Sequence, residues 1–257
     1  MRRLFPAIAL LIICTVVLAG CGSKEMSLYE AACKKYNGAA GVTISFTSNF
    51  GIDDGSGKST EGVFTGTYML KHEDGKVTAA HLSGTINVNT GAAGIEPVMI
   101  DTYYAGGRLY AVMSGSKYFT AMDWEHAQTL IGPAGELLTG LAETDLREIT
   151  MTEDGDTKKL AFTLTSKAAE SIPGLKEEWR RIADLNNDEE TILSIDALTG
   201  SIVTAKKEPV SQSISYAGSI RSGERTIIVR NTIEATYSYA EVDIQAPAEA
   251  EYKELNK

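Results

Sequence analysis

Along most of this chain apolar and polar residues alternate with a period of two, the spacing of strands that bury one face. In 42–50, Val42, Ile44, Phe46 and Phe50 alternate with Thr43, Ser45, Thr47 and Asn49. Segments 61–71 and 76–88 follow, joined at Asp74-Gly75. That pair suits a type I′ turn, in which both central residues take positive φ. Gly106-Gly107 joins 98–105 to 108–114, and Asp154-Gly155 joins 145–153 to 156–166. Two more hairpins are expected: 191–197 with 201–207 across Thr199-Gly200, and 210–221 with 224–239 across Ser222-Gly223. The last is the clearest. Val210, Gln212, Ile214, Tyr216 and Ile220 share one side, and Ser211, Ser213, Ser215 and Ser219 share the other. In the partner, Ile227, Val229, Ile233, Tyr237 and Tyr239 lie opposite Arg230, Thr232, Glu234 and Ser238. One apolar and one hydroxyl-rich side describe an antiparallel sheet solvated on its outer face.

The period changes to 3.6 in three places. The first is 27–37, with Ser27 as N-cap, Glu30 completing a capping box, and a stripe of Tyr29, Ala32, Cys33 and Tyr36. A second runs over 123–131 behind an Asp123 cap, with Trp124, Ala127 and Ile131 at helical spacing; 133–139 continues it with Ala134, Leu137 and Leu138. The third covers 167–185, with Ile172, Leu175, Trp179 and Ile182 and a break at Pro173-Gly174. These helices need an apolar surface, and the apolar side of the sheet is the only large one, so the expected class is α+β. One domain is expected over 27–247, followed by a disordered acidic tail over 248–257.

The chain opens differently. Arg2 and Arg3 precede an uncharged apolar run from Leu4 to Ala19, and Leu18-Ala19-Gly20-Cys21 closes it. A charged start, a short apolar run and small residues at the end describe an export signal over 1–20. The ending resembles the bacterial lipobox. That resemblance implies diacylglyceryl transfer to Cys21, cleavage before it, and a lipid-anchored tether over 21–26. It places the protein in a bacterial cell envelope, anchored on the extracytoplasmic face of the membrane. Two or more acyl chains anchor stably where one does not. Cleavage removes two arginines and no acid, leaving 22 basic against 34 acidic side chains. A domain of net charge −12 is repelled by anionic headgroups, so the anchor must supply the membrane affinity. The same acidity excludes a nucleic-acid partner. Of three cysteines, Cys14 leaves with the signal and Cys21 takes the lipid. Cys33 then has no partner for an intramolecular disulfide.

Catalytic and metal motifs fail on inspection. Gly55-Ser56-Gly57-Lys58-Ser59 lacks the first glycine of a phosphate loop and leads into a strand. Ser114-Gly115-Ser116-Lys117 has neither companion element of the penicillin-recognising enzymes. Asp184, Asn186 and Asp188 begin like a calcium loop, but Glu189 stands where Gly is needed and Ile195 where Glu is needed. His72, His81 and His126 have no metal-ligand spacing. No cofactor, no metal and no reaction are expected.

Helix, antiparallel meander and helical insertions facing its apolar side form an order that resembles the half-barrel of the outer-membrane lipoprotein carrier family. Related glycolipid-binding lipoproteins of Gram-positive envelopes share it, as do uncharacterised surface lipoproteins of that fold. Tyr103-Tyr104-Ala105-Gly106-Gly107-Arg108-Leu109-Tyr110, with Lys117-Tyr118-Phe119, resembles their aromatic hairpin. Tyr237-Ser238-Tyr239 through Pro247 resembles their last strand and exit. The resemblance implies a curved antiparallel half-barrel with helices packed on its concave face over an apolar cavity that takes acyl chains. The residues expected to line it are Phe64, Tyr68, Met99, Tyr103, Met113, Trp124, Ile131, Leu138 and Trp179. The expected function is lipid or hydrophobic-ligand binding, as carrier or chaperone. The alternative is a sensor or scaffold that engages an envelope protein partner and has no cavity.

Overall fold

The computed structural model describes residues 23–56, 59–89, 97–113, 116–131, 138, 141–170, 172, 175, 191–222 and 225–255. The expected export signal, Cys21, Trp179 and the 184–190 segment lie outside them. Three helices are described: α1 (Lys24–Asn37), α2 (Trp124–Ile131) and α3 (Ser166–Glu170). The strands of the first half are β1 (Gly41–Asp53), β2 (Ser59–Glu73), β3 (Lys76–Asn89), β4 (Val98–Ala105), β5 (Arg108–Met113) and β6 (Ser116–Ala121). Those of the second half are β7 (Leu146–Asp154), β8 (Thr157–Leu164), β9 (Thr191–Ala205), β10 (Glu208–Ser222) and β11 (Arg225–Ser238), before a two-residue β12 (Lys253–Glu254).

All twelve strands form one sheet in the order β12-β6-β5-β4-β3-β2-β1-β11-β10-β9-β8-β7. Two meanders run in opposite directions from a central seam where β1 pairs antiparallel with β11. The result is α+β: a curved antiparallel half-barrel with helices packed on its concave face. The turns at 74–75, 106–107, 155–156 and 206–207 lie at one end of the strands, here termed the near end. Asp74 and Gly75 have φ of 53° and 73°, the geometry expected of a type I′ hairpin.

Several boundaries differ from expectation. Helix α1 begins at Lys24, because Ser23 rather than Ser27 caps it: the Met26 amide donates to Ser23 Oγ at 3.1 Å. Lys24, Glu25 and Met26 are therefore helix, not tether. No turn occurs at Thr199-Gly200. Gly200 sits mid-strand, paired with Phe162 of β8 and Ile214 of β10. The turn instead uses Lys206 and Lys207 at φ of 51° and 71°. The other two hairpins shift by one residue, with Asp154 paired to Thr157 and Ser222 to Arg225. Residues 248–255 of the expected tail pack along the sheet edge. Their β12 pairs in parallel with β6, and the Leu255 amide donates to the Phe119 carbonyl at 2.8 Å. Lys117 meets Glu251 at 2.6 Å, Arg108 meets Glu249 at 2.9 Å, and Tyr252 packs edge-on to Tyr110. The tail thus covers an edge that would otherwise present unpaired amides.

Helix α1 crosses the near end of the concave face. Tyr29 packs edge-on against Phe162 of β8, and Tyr36 against Tyr237 of β11 and His72 of β2. The expected stripe of Tyr29, Ala32, Cys33 and Tyr36 is buried, joined by Met26 and Leu28. Helix α2 packs on β3 and β4, and α3 on β9.

Candidate functional site

The concave face can be followed strand by strand from the register. From β3 to β11, Leu82, Tyr68, Ile44 and Tyr237 share one row, with Ala80, Leu70 and Val42 in the row nearer the turns and Ala235 in the row beyond. All eight are buried, beneath α1 and α2. Toward the far end the composition changes. Phe46 lies over Gly66, and a Cβ there would fall 3.0 Å from its ring. Phe50 covers Gly62 in the same way. Phe64 covers Gly84, where a Cβ would meet the ring at 2.6 Å and the Thr65 carbonyl at 2.5 Å. Three rings therefore lie against glycine backbone on the neighbouring strand. Phe46 and Phe64 also meet edge to face at 4.9 Å.

Beyond these rings the floor is apolar and incompletely covered. Ile52, Phe64, Ile86, Val88 and Ile100 are half-buried, and Val98 is 49% exposed. At the same depth in the second meander, Ile195, Ile220, Ile227 and Val229 are fully buried. Between the two regions lies a polar chain. Ser48 Oγ donates to Asn231 Oδ1 at 2.9 Å, and Asn231 Nδ2 donates to Tyr216 Oη at 2.8 Å. All three residues are buried, and such groups are tolerated there because they are hydrogen-bonded.

The structure distributes the expected lining residues unevenly. Phe64 is on the uncovered floor. Tyr68, Ile131 and Leu138 are buried in the core, and Trp124 packs on Tyr104 at 5.1 Å. Met99 and Tyr103 lie on the opposite, polar face, and Met99 is 70% exposed. The register decides this: Tyr103 pairs with His81 and Tyr104 with Ala80, so of the two tyrosines only Tyr104 faces the helices. Met113 ends β5, but its side chain, like all of Trp179, falls outside the described residues. The residues missed by the sequence are Ile52, Ile86, Val88, Val98 and Ile100, each an apolar position of an alternating strand.

The polar face carries its own features. His81 stacks on Tyr103 at 3.9 Å and meets Asp101 at 2.8 Å through Nε2. Burial raises the Tyr103 phenol above its usual range, and the Asp101 charge adds to this. An open trough of about 910 Å³ runs over Ser45, Thr47, Thr65, Thr67, Ser83 and Thr85 to Lys159 of β8. Among the described residues no three His, Cys, Asp or Glu side chains converge as metal ligands. No described helix is long and apolar enough to cross a membrane.

No family model matches the sequence, and no curated protein matches it. Among solved structures, LprF from Mycobacterium bovis is 12% identical, covers 88% of this chain and 96% of its own, and superposes with a TM-score of 0.39. A LolA superfamily protein from Nitrosomonas europaea is 8% identical, with coverage of 90% and 99% and a TM-score of 0.28. At such TM-scores the likeness carries no argument, and the fold stands on the strand order and register above.

Proposed function

We propose that this chain is a membrane-anchored extracytoplasmic lipoprotein of a bacterial envelope, and that it binds a lipid or other hydrophobic ligand on the concave face of its half-barrel. The observation that carries the reading is the uncovered floor: Ile52, Phe64, Ile86, Val88, Val98 and Ile100 form an apolar surface that the described helices leave half-exposed. Closing it with acyl methylenes contributes about 0.8 kcal/mol for each one buried. The half-buried rings of Phe50 and Phe64 lie against glycines, which leaves the space above them to a ligand. Anchoring rests on the Leu18-Ala19-Gly20-Cys21 ending. The reading assigns the protein a carrier or chaperone role and no reaction.

Native mass spectrometry of residues 22–257, purified without detergent and followed by lipid extraction, tests it. A stoichiometric bound lipid, or uptake of an offered envelope lipid, is the expected result. A clean unliganded mass with no uptake would overturn ligand binding and leave an envelope scaffold for a protein partner.

A further inference from the structure

Cys21 stands two residues before the α1 cap Ser23, so the chain between lipid and fold spans at most ~7 Å. The start of α1 is fixed to one corner of the sheet. Lys24 Nζ pairs with Glu153 Oε1 of β7 at 2.8 Å, and Lys158 of β8 meets the same oxygen at 3.2 Å. The Lys206 amide donates to the Asp156 carbonyl, placing the β9–β10 turn beside the β7–β8 turn. This corner therefore combines the anchor with Lys24, Lys206 and Lys207 at its surface. With Lys158 they make four lysines against Glu25, Glu153, Asp154, Asp156 and Glu208, so the corner carries about one net negative charge on a chain of −12.

The uncovered floor lies diagonally across the sheet. Phe64 is nine residues from the near end of β2, or ~30 Å along the strand. It is also several strands away from β7. The far end carries Asp53, Asp54 and Glu61 but also Arg221, Arg225 and Arg230, so charge does not separate it from the anchored corner. The short tether to Cys21 sets which end lies at the bilayer.

Building on the anchored, lipid-binding reading above, we infer that the corner formed by the α1 N-terminus and the turns at 155–156 and 206–207 rests on the headgroups of the anchoring bilayer. The apolar floor is thereby held away from that bilayer and faces the envelope space. The ligand then passes to or from something that approaches from the envelope side, not directly from the lipids beneath.

The test uses the full lipidated chain on vesicles of phosphatidylglycerol and phosphatidylcholine that contain a nitroxide-headgroup lipid. Lys207→Cys and Asn87→Cys each give one labelling site, because Cys33 is buried and lipidation consumes the Cys21 thiol. Intact mass is read first. A chain without lipid removes the anchor and overturns the inference together with the anchored reading. On a lipidated chain, quenching of a fluorophore at 207 is expected to exceed that at 87 several-fold. Equal or stronger quenching at 87 would overturn the orientation while leaving anchoring and ligand binding intact.

Discussion

The two meanders end at the same depth of one sheet and are treated oppositely there. In the second, Ile195, Ile220, Ile227 and Val229 are buried, under a cover to which α3, Ile172 and Leu175 belong. In the first, Ile52, Phe64, Ile86, Val88 and Ile100 remain half-buried, and α2 reaches only the Tyr104 region of β3 and β4. Both floors are apolar, so hydrophobicity does not separate them. Cover does. Among the described residues, one region is a completed core and the other is left half-exposed. Under the proposed function the ligand docks there.

The largest expected effect comes from removing matched side chains on the two sides. Ile220→Ala should cost about 2–5 kcal/mol in urea unfolding, because a buried residue leaves a cavity. Ile86→Ala should cost less than half of that, because its site is already open to solvent. Equal costs would show that the first floor is an ordinary core and would break the comparison.

Gly84→Ala comes next. Its Cβ would press on the Thr65 carbonyl, which is backbone and cannot swing aside, and on the Phe64 ring. A loss of about 1–3 kcal/mol is expected, typical of overpacking. The same change should weaken ligand uptake by pushing Phe64 up from the floor. Unchanged stability would remove the ring-over-glycine account.

A pH dependence follows from His72, buried beside Tyr36 under the end of α1. Burial lowers its imidazole below the ordinary value, against a smaller opposing effect of the Ala39 carbonyl. The folded state thus resists protonation more than the unfolded chain. Its contribution is complete above about pH 6.5 and is lost as the pH falls below that, when the unfolded chain takes up the proton first. His72→Gln should flatten the stability profile between about pH 7 and 5. A profile that keeps its slope would place the sensitivity elsewhere.

The smallest effect concerns the tail. Truncation after Pro247 uncovers Tyr110 and the β6 edge. Because the ion pairs to Arg108 and Lys117 are exposed and screened, only a small fall in Tm is expected. Faster hydrogen exchange in β6 should accompany it. A fall as large as that of Ile220→Ala would make the tail part of the core.

Much of the fold was legible because strands that bury one face must alternate, and Asp74-Gly75 and Gly106-Gly107 mark turns by a backbone requirement. Thr199-Gly200 misled because glycine also occurs mid-strand, here paired with Phe162 and Ile214. The open floor depends on one β-bulge that the Asp74-Gly75 turn does not announce. Between Lys71 and His72 the β2–β3 register slips by a residue, so Phe64 faces Ile86. Counting from the turn without the slip would pair Phe64 with Thr85. Matching the apolar faces of the two strands, Tyr68 with Leu82 and Phe64 with Ile86, calls for that slip, whereas the turn alone does not. Tyr103-Tyr104 posed a related problem, as two tandem aromatics fit either face until β3 fixes the register. The tail escaped notice because its order depends on Arg108, Lys117 and Tyr110, more than a hundred residues away.

The central claim is that a hydrophobic ligand occupies the first meander's open floor. A photoactivatable acyl lipid, loaded onto residues 22–257 and mapped by peptide mass spectrometry after irradiation, tests it most directly. The account predicts adducts concentrated at 60–66, 84–89 and 98–100. Adducts confined to the second meander or to the hydroxyl-rich face, or no adducts at saturating lipid, would contradict it.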